Sequence, residues 1–103
     1  MEISIHRNDD RAVIDLSGRV AYGQPVGDLY LTIKELVDLG VIRIVLDLHE
    51  VSYLDSVGVG ALMTAYTTCA KNGGDLRLIN VHGKAKKVLH ITKLESLFGL
   101  PAN

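Results

Sequence analysis

Asp55 and Ser56 place a carboxylate and a hydroxyl side by side, just ahead of Gly58 and Gly60. The strand-like run before them and the helix-like run after them put the pair at a helix start. Unsatisfied N–H donors and a partial positive charge gather there. A serine in that place has two readings from the residues alone. It caps the helix, the simpler role for a hydroxyl after a strand-to-helix turn, or it presents its oxygen to a phosphoryl group. Gly58 and Gly60 would allow close backbone approach in either case.

Other chemistries fit the same stretch less well. A dinucleotide fingerprint built on Gly58 and Gly60 needs its third glycine at 63, where Met63 stands. A nucleophile elbow around Ser56 needs glycine at 54, where Leu54 stands. Asp47 and His82 are conceivable partners for a Ser56 nucleophile, but no spacing supports them. An aspartyl-phosphate receiver needs a carboxylate cluster after an early strand to hold Mg²⁺, and Ser17-Gly18-Arg19 offers none. His6, His49, His82 and His90 show no paired metal-ligand spacing, so no metal or other cofactor is expected. A small α/β enzyme would still need a pocket lined by convergent polar groups.

The elements that must position Asp55 and Ser56 follow from periodicity. Residues 1–6 and 11–17 alternate as strands around the turn-forming Asn8-Asp9-Asp10, which predicts a hairpin with one covered face. Gly18 is expected to end the second strand. Pro25 suits the first turn of a helix, and Val26, Leu29, Tyr30, Ile33, Leu36 and Val37 recur at helical spacing before Gly40. Residues 42–48 form the most apolar strand. That composition predicts burial on both faces, with the strand ending near Leu48 and a short polar link leading to Asp55. A helix runs from Ser56 to the Asn72-Gly73-Gly74 stop, with Ala61, Leu62, Ala65, Tyr66 and Cys69 on one face. The small residues at 58, 60, 61 and 65 would let it lie close to the sheet. A strand at 76–81 and a short helix at 84–92 follow, and residues 97–101 are an edge strand or a last turn. The order β-β-α-β-α-β-α predicts a mixed sheet with right-handed crossovers.

Composition narrows the classes further. A chain of 103 residues, 48% hydrophobic and 22% charged, is one globular domain over 1–103. Eleven basic residues against twelve acidic ones give a net charge of −1, which argues against nucleic acid as a partner. The four tyrosines form no stacking stripe. Arg77, Lys84, Lys86 and Lys87 make a modest basic cluster, a solvated face or a site for an acidic patch. No apolar run approaches the ~20 residues of a membrane span, and the start Met1-Glu2-Ile3-Ser4-Ile5 lacks the pattern of a signal region. Cys69 is the only cysteine and lies on an apolar stripe, fitting a buried small hydrophobe in a reducing compartment. The expectation is a cytoplasmic domain without membrane insertion, monomeric or weakly dimeric.

The run Leu46-Asp47-Leu48, then Val51, then Leu54-Asp55-Ser56-Val57-Gly58-Val59-Gly60-Ala61-Leu62 resembles the signature of the sulfate transporter and anti-sigma factor antagonist (STAS) domain. The resemblance extends to Leu16-Ser17-Gly18-Arg19, to residues 73–81 and to residues 88–94, nearly the whole chain in the family's order. It implies a single STAS-like α/β domain: a mixed four- to five-stranded sheet with an N-terminal hairpin and helices mostly packed on one face. It also implies a non-enzymatic switch. In the bacterial anti-sigma factor antagonists, the serine after the motif aspartate is phosphorylated by a serine kinase that is also the anti-sigma factor. The unphosphorylated antagonist binds that kinase and frees the sigma factor, and a serine phosphatase resets the cycle.

Carried over by position, the phosphoacceptor is Ser56. The implied partner-binding surface is Leu54, Asp55, Ser56, Val57, Gly58, Val59 and Gly60, with Tyr22 and Gly23 beside them. Val57 and Val59 depart from the serine and leucine common at those positions and leave the acceptor intact. The tail is also shorter than in many relatives, which bears on the last edge of the sheet. An alternative within the family is a docking subunit of a larger stress-signalling or transporter-associated assembly, with no phosphorylation cycle.

Overall fold

Strict alternation along one strand sets the layering of the whole domain. In β2 (Arg11–Val20), Ala12, Ile14 and Leu16 are buried, whereas Arg11, Val13 and Asp15 face outward. The computed structural model describes residues 1–100, and Pro101 of the expected tail lies outside them. β1 (Glu2–Asn8) pairs antiparallel with β2, with Ile3 opposite Leu16 and Ile5 opposite Ile14. The hairpin expected from Asn8-Asp9-Asp10 is present, with Asp9 in the left-handed conformation at φ 57°, one that short polar side chains tolerate.

After the hairpin come α1 (Gln24–Asp38), β3 (Arg43–Leu54), α2 (Ser56–Lys71), β4 (Asp75–Ile79) and α3 (Gly83–Ile91). The sheet order is β1-β2-β3-β4, with β2, β3 and β4 mutually parallel. Because β2, β3 and β4 advance in one direction across the sheet, right-handed crossovers carry α1 and α2 onto the same face. Leu29, Ile33, Leu36 and Val37 of α1 and Val59, Leu62, Ala65 and Cys69 of α2 pack there against Ile14, Leu16, Ile44, Leu46, Leu48, Leu76 and Leu78. Each fully buried leucine or isoleucine contributes roughly 1.5–3 kcal/mol relative to exposure.

The same topology overturns the expectation that β3 is buried on both faces. Its helix side is apolar and dry, but Arg43 is exposed on the other side and Val45 and Asp47 are half-buried. A second correction concerns its length. β3 does not end near Leu48: it continues through His49-Glu50-Val51-Ser52-Tyr53 to Leu54. Asp15 pairs with Asp47 but Ser17 with Glu50, and Gly18 with Val51 but Arg19 with Tyr53. β3 thus carries an extra residue twice relative to β2, and each bulge breaks the alternation that marks a strand. β2 likewise passes through Gly18 (φ 87°) rather than ending there.

The tail resolves as a turn, not a fifth strand among the described residues. Ser96–Phe98 forms a single 3-10 turn. It buries Phe98 completely, edge-on to Tyr66 at a centroid distance of 6.1 Å. Glu95, also buried, accepts a hydrogen bond from His90 Nδ1 at 3.0 Å and anchors the turn to α3.

Candidate functional site

The end of β3 and the start of α2 are continuous. Leu54 is the last strand residue, Asp55 the N-cap and Ser56 the first helical residue. Asp55 is extended (φ −107°, ψ −178°), and its Oδ1 accepts from the Gly58 N–H at 2.7 Å. Its Oδ2 accepts from the Tyr22 N–H at 3.1 Å, across 33 residues of sequence. These two donors, the Gly58 N–H first, hold the Asp55 carboxyl below the usual carboxylate range.

The cap is therefore Asp55, which corrects the simpler reading of Ser56. Ser56 is exposed, and among the described residues its hydroxyl makes no side-chain hydrogen bond. Asp and Ser are comparable caps, so two adjacent candidates give the sequence no means of choosing. Here the outcome leaves the serine oxygen free at the positive end of a sixteen-residue helix.

Gly58 and Gly60 prove unlike each other. A Cβ on Gly58 would overlap the Val20 carbonyl oxygen and lie 2.8 Å from Leu54 Cδ1. Only glycine lets the first turn of α2 sit against the end of β2. A Cβ on Gly60 would meet nothing within 4 Å, so Gly60 plays no part in that close approach. It faces a groove of about 540 Å³ between α1 and α2, whose walls include Val26, Tyr30, Val57, Ala61 and Thr64.

Of the other residues singled out from the sequence, Leu54, Gly58 and Val59 are buried. They shape the loop from beneath. Tyr22, 80% exposed, is held beside Asp55, because the Tyr22–Asp55 hydrogen bond ties the β2–α1 loop, which includes Gly23, to the β3–α2 junction. Tyr30 on the groove wall carries surface the sequence reading assigned to the core: it is 51% exposed. Its place at the rim of the α1 stripe was the available signal. Arg19, stacked over the Tyr53 ring at 4.0 Å, brings a cation to the last rows of β2 and β3.

Asp47 and His82 do not approach a Ser–His–Asp arrangement. Asp47 Oδ1 accepts from the His49 N–H and from Asn80, and the His82 ring lies 2.7 Å from the His49 carbonyl oxygen.

Comparison with known proteins places the chain as a whole. The STAS domain profile matches residues 2–103. The chain belongs to the STAS domain family. Two curated relatives are both named anti-sigma-B factor antagonist. One, from Bacillus subtilis, is 27% identical over 99% of this chain and 92% of its own length. The other, from Listeria monocytogenes, is 31% identical over 94% and 87% respectively. The solved structure of the Bacillus cell fate determinant SpoIIAA in its phosphorylated form superposes with a TM-score of 0.75 at 21% identity. It covers 93% of this chain and 87% of its own. That likeness establishes the STAS fold: a mixed sheet opened by an antiparallel hairpin. No helix among the described residues of this STAS domain is long and apolar enough to cross a membrane.

Proposed function

We propose that this STAS domain is an anti-sigma factor antagonist. In its unmodified form it docks onto a serine kinase that is itself the anti-sigma factor, and phosphorylation of Ser56 releases it. The observation that carries the reading is the division of labour at the α2 start. Asp55 takes the capping role and Ser56 keeps an exposed, uncommitted hydroxyl. The names of the curated relatives support the role, and the phosphorylated state in the SpoIIAA title is a property of that protein.

The chemistry asked of this chain is small. Ser56 Oγ attacks the γ-phosphorus of ATP held by the kinase, its proton passes to the kinase's base, and ADP leaves. The product carries ~1.5–2 negative charges beside the Asp55 carboxylate. The helix N-terminal N–H groups stabilise that charge within the domain. A closely docked partner surface would have to desolvate it. The proposed docking surface joins Tyr22, Gly23, Ser56, Val57 and Gly60 to the α1–α2 groove. Its exposed apolar residues (Tyr22, Tyr30 and Val57) are the kind that mark protein contact. A serine phosphatase would restore the binding form.

The test is phosphosite mapping. The protein is isolated from its native host with phosphatase inhibitors present, and the peptide containing residue 56 is sequenced by mass spectrometry. A phosphoryl group on Ser56, absent from Ser52 and Thr64, is expected. A Ser56 that stays unmodified while its bound kinase is active on other substrates would overturn the cycle and leave a docking subunit.

A further inference from the structure

The sheet face turned away from the helices carries a charge order of its own. On the two central strands, β2 and β3, register places its side chains in three rows. Arg11 and Arg43 lie in the first, Val13 and Val45 in the second, and Asp15 and Asp47 in the third. On the edge strands Asp75 adjoins the first row and His6 and Arg77 the second. Glu50, beside Ser17, extends the acidic end. The basic end is a shallow depression of about 290 Å³ around Arg11, Val13, Arg43, Val45 and Arg77, with Asp75 the one acidic residue in its lining. Asp15, Asp47, His49 and Glu50 line a second depression. Val13 is 38% exposed and Ile79 40%, so apolar surface stands in the open between the charged rows.

From this order we propose that the open sheet face is a self-association surface, occupied by a second copy of this chain. A two-fold axis lying across the strands along the Val13–Val45 row maps the first row onto the third. Arg11 of one copy then meets Asp15 of the other, Arg43 meets Asp47, and the valine row closes on itself. Each contact occurs twice, as an isologous interface requires. Packed sheets lie about 10 Å apart, a gap that an arginine and an aspartate span end to end. Aligned sheets cross at about 30°, so β2 and β3 stay in register while the edges splay. Within one copy Asp10 pairs with Arg43 at 3.2 Å and lies 4.0 Å from Arg11, and His6 lies 3.2 Å from Asp15. These exposed pairs are weak and exchange for the cross-copy ones. Arg77 stays with Asp75 at 2.9 Å on edge strand β4 and is not needed.

The size of the face sets the strength. Four strands about 4.8 Å apart, over six steps of about 3.3 Å, cover about 380 Å² per copy. The total of about 760 Å² falls below the ~1,200 Å² of stable complexes. The dimer is therefore weak, populated at tens to hundreds of micromolar and dissolved by salt. It does not depend on Ser56: α1 and α2 lie on the opposite face, so its failure would leave the phosphorylation reading untouched.

Sedimentation equilibrium of the full chain tests it. Wild type should show a concentration-dependent monomer–dimer equilibrium at low salt, weakened at least tenfold near ~0.5 M salt, where screening is complete within a few ångströms. Arg11→Glu alone and Asp15→Arg alone should each weaken self-association at least tenfold. An equimolar mixture of the two should associate, because both cross-contacts are then of opposite sign. Arg43→Glu with Asp47→Arg repeats the test on β3, with circular dichroism confirming that every variant is folded. Wild type monomeric at millimolar concentration and low salt would overturn the proposal. So would single variants that self-associate like wild type, or a mixture that stays monomeric. A monomeric wild type whose binding to a different protein is weakened by Arg11→Glu would assign the face to that protein instead.

Discussion

Gly58→Ala and Gly60→Ala add the same methyl group to the same helix, two residues apart, and should move stability in opposite directions. At Gly60 the new Cβ meets nothing within 4 Å. The gain is the alanine-over-glycine helix preference, up to about 1 kcal/mol. At Gly58 the methyl overlaps the Val20 carbonyl, which is backbone held in the β2–β3 ladder, and presses on the buried Leu54 side chain. The side chain can turn aside, but the carbonyl cannot, so α2 must lift from the sheet. Overpacking of this kind costs about 1–3 kcal/mol. A clash with fixed backbone belongs in the upper half of that range, about 2–3 kcal/mol, so after a helix gain of about 1 kcal/mol a net loss of about 1–2 kcal/mol remains. At about 4 °C per kcal/mol for a domain of this size, Gly60→Ala should raise the Tm by about 4 °C and Gly58→Ala should lower it by about 4–8 °C. Urea unfolding followed by circular dichroism gives the free energies, and thermal melts give the midpoints. A neutral Gly58→Ala, or a Gly60→Ala that destabilises by as much as Gly58→Ala, would refute the claim that one glycine serves packing and the other the groove. Because Gly60 faces the groove, the stabilised Gly60→Ala protein should also bind its partner less tightly, separating stability from docking.

Two other predictions concern groups whose proton affinity the fold shifts. The Asp55 carboxyl is held below its ordinary range by the Gly58 and Tyr22 N–H groups. The stability it contributes is full above the unfolded value of about 3.9 and lost as pH falls through the lower folded value. Asp55→Asn should therefore lower the urea midpoint at neutral pH, with the gap to wild type narrowing as the pH falls below the ordinary carboxylate value of about 3.9; a gap constant with pH would contradict the hydrogen-bond account. Burial, with a smaller contribution from the Asp75 charge, pushes the Cys69 thiol up to about 11. Against an unfolded value of about 8.5, the native thiolate fraction at pH 8 is smaller by about a hundredfold or more. Cys69 should react with a disulfide reagent at least that much more slowly in the native protein than in urea, and comparable rates would show the site to be open.

The sequence carried the element order, because Leu29, Ile33, Leu36 and Val37 at helical spacing and Ala12, Ile14 and Leu16 at strand spacing each declare one apolar face. It also put Asp55 and Ser56 at a helix start. It concealed whatever depended on pairing between distant residues. The bulges opposite Asp15–Ser17 and Gly18–Arg19 scramble alternation over 49–53, so a strand reads as a link. The Tyr22–Asp55 tether spans 33 residues, leaving no local trace of which of two good caps is used. The apolar run 42–48 could not disclose that both crossovers cover the same side, which leaves Val45 half-open and Arg43 exposed. The resemblance supplied what local residue types could not, the preference for a phosphoacceptor over a cap. The geometry then shows Asp55 in the capping role and the Ser56 hydroxyl uncommitted.

The central claim is that charge on Ser56 decides whether the partner stays bound. Its most direct test is calorimetry of the kinase titrated with unmodified protein and, separately, with protein phosphorylated at Ser56. A penalty of about 3 kcal/mol from repulsion and desolvation predicts more than a hundredfold weaker binding of the phosphorylated form, since each 1.4 kcal/mol is about tenfold. Ser56→Asp should shift in the same direction, and Ser56→Ala should bind like the unmodified chain. Equal affinity of the kinase for the unmodified and phosphorylated proteins would contradict the account.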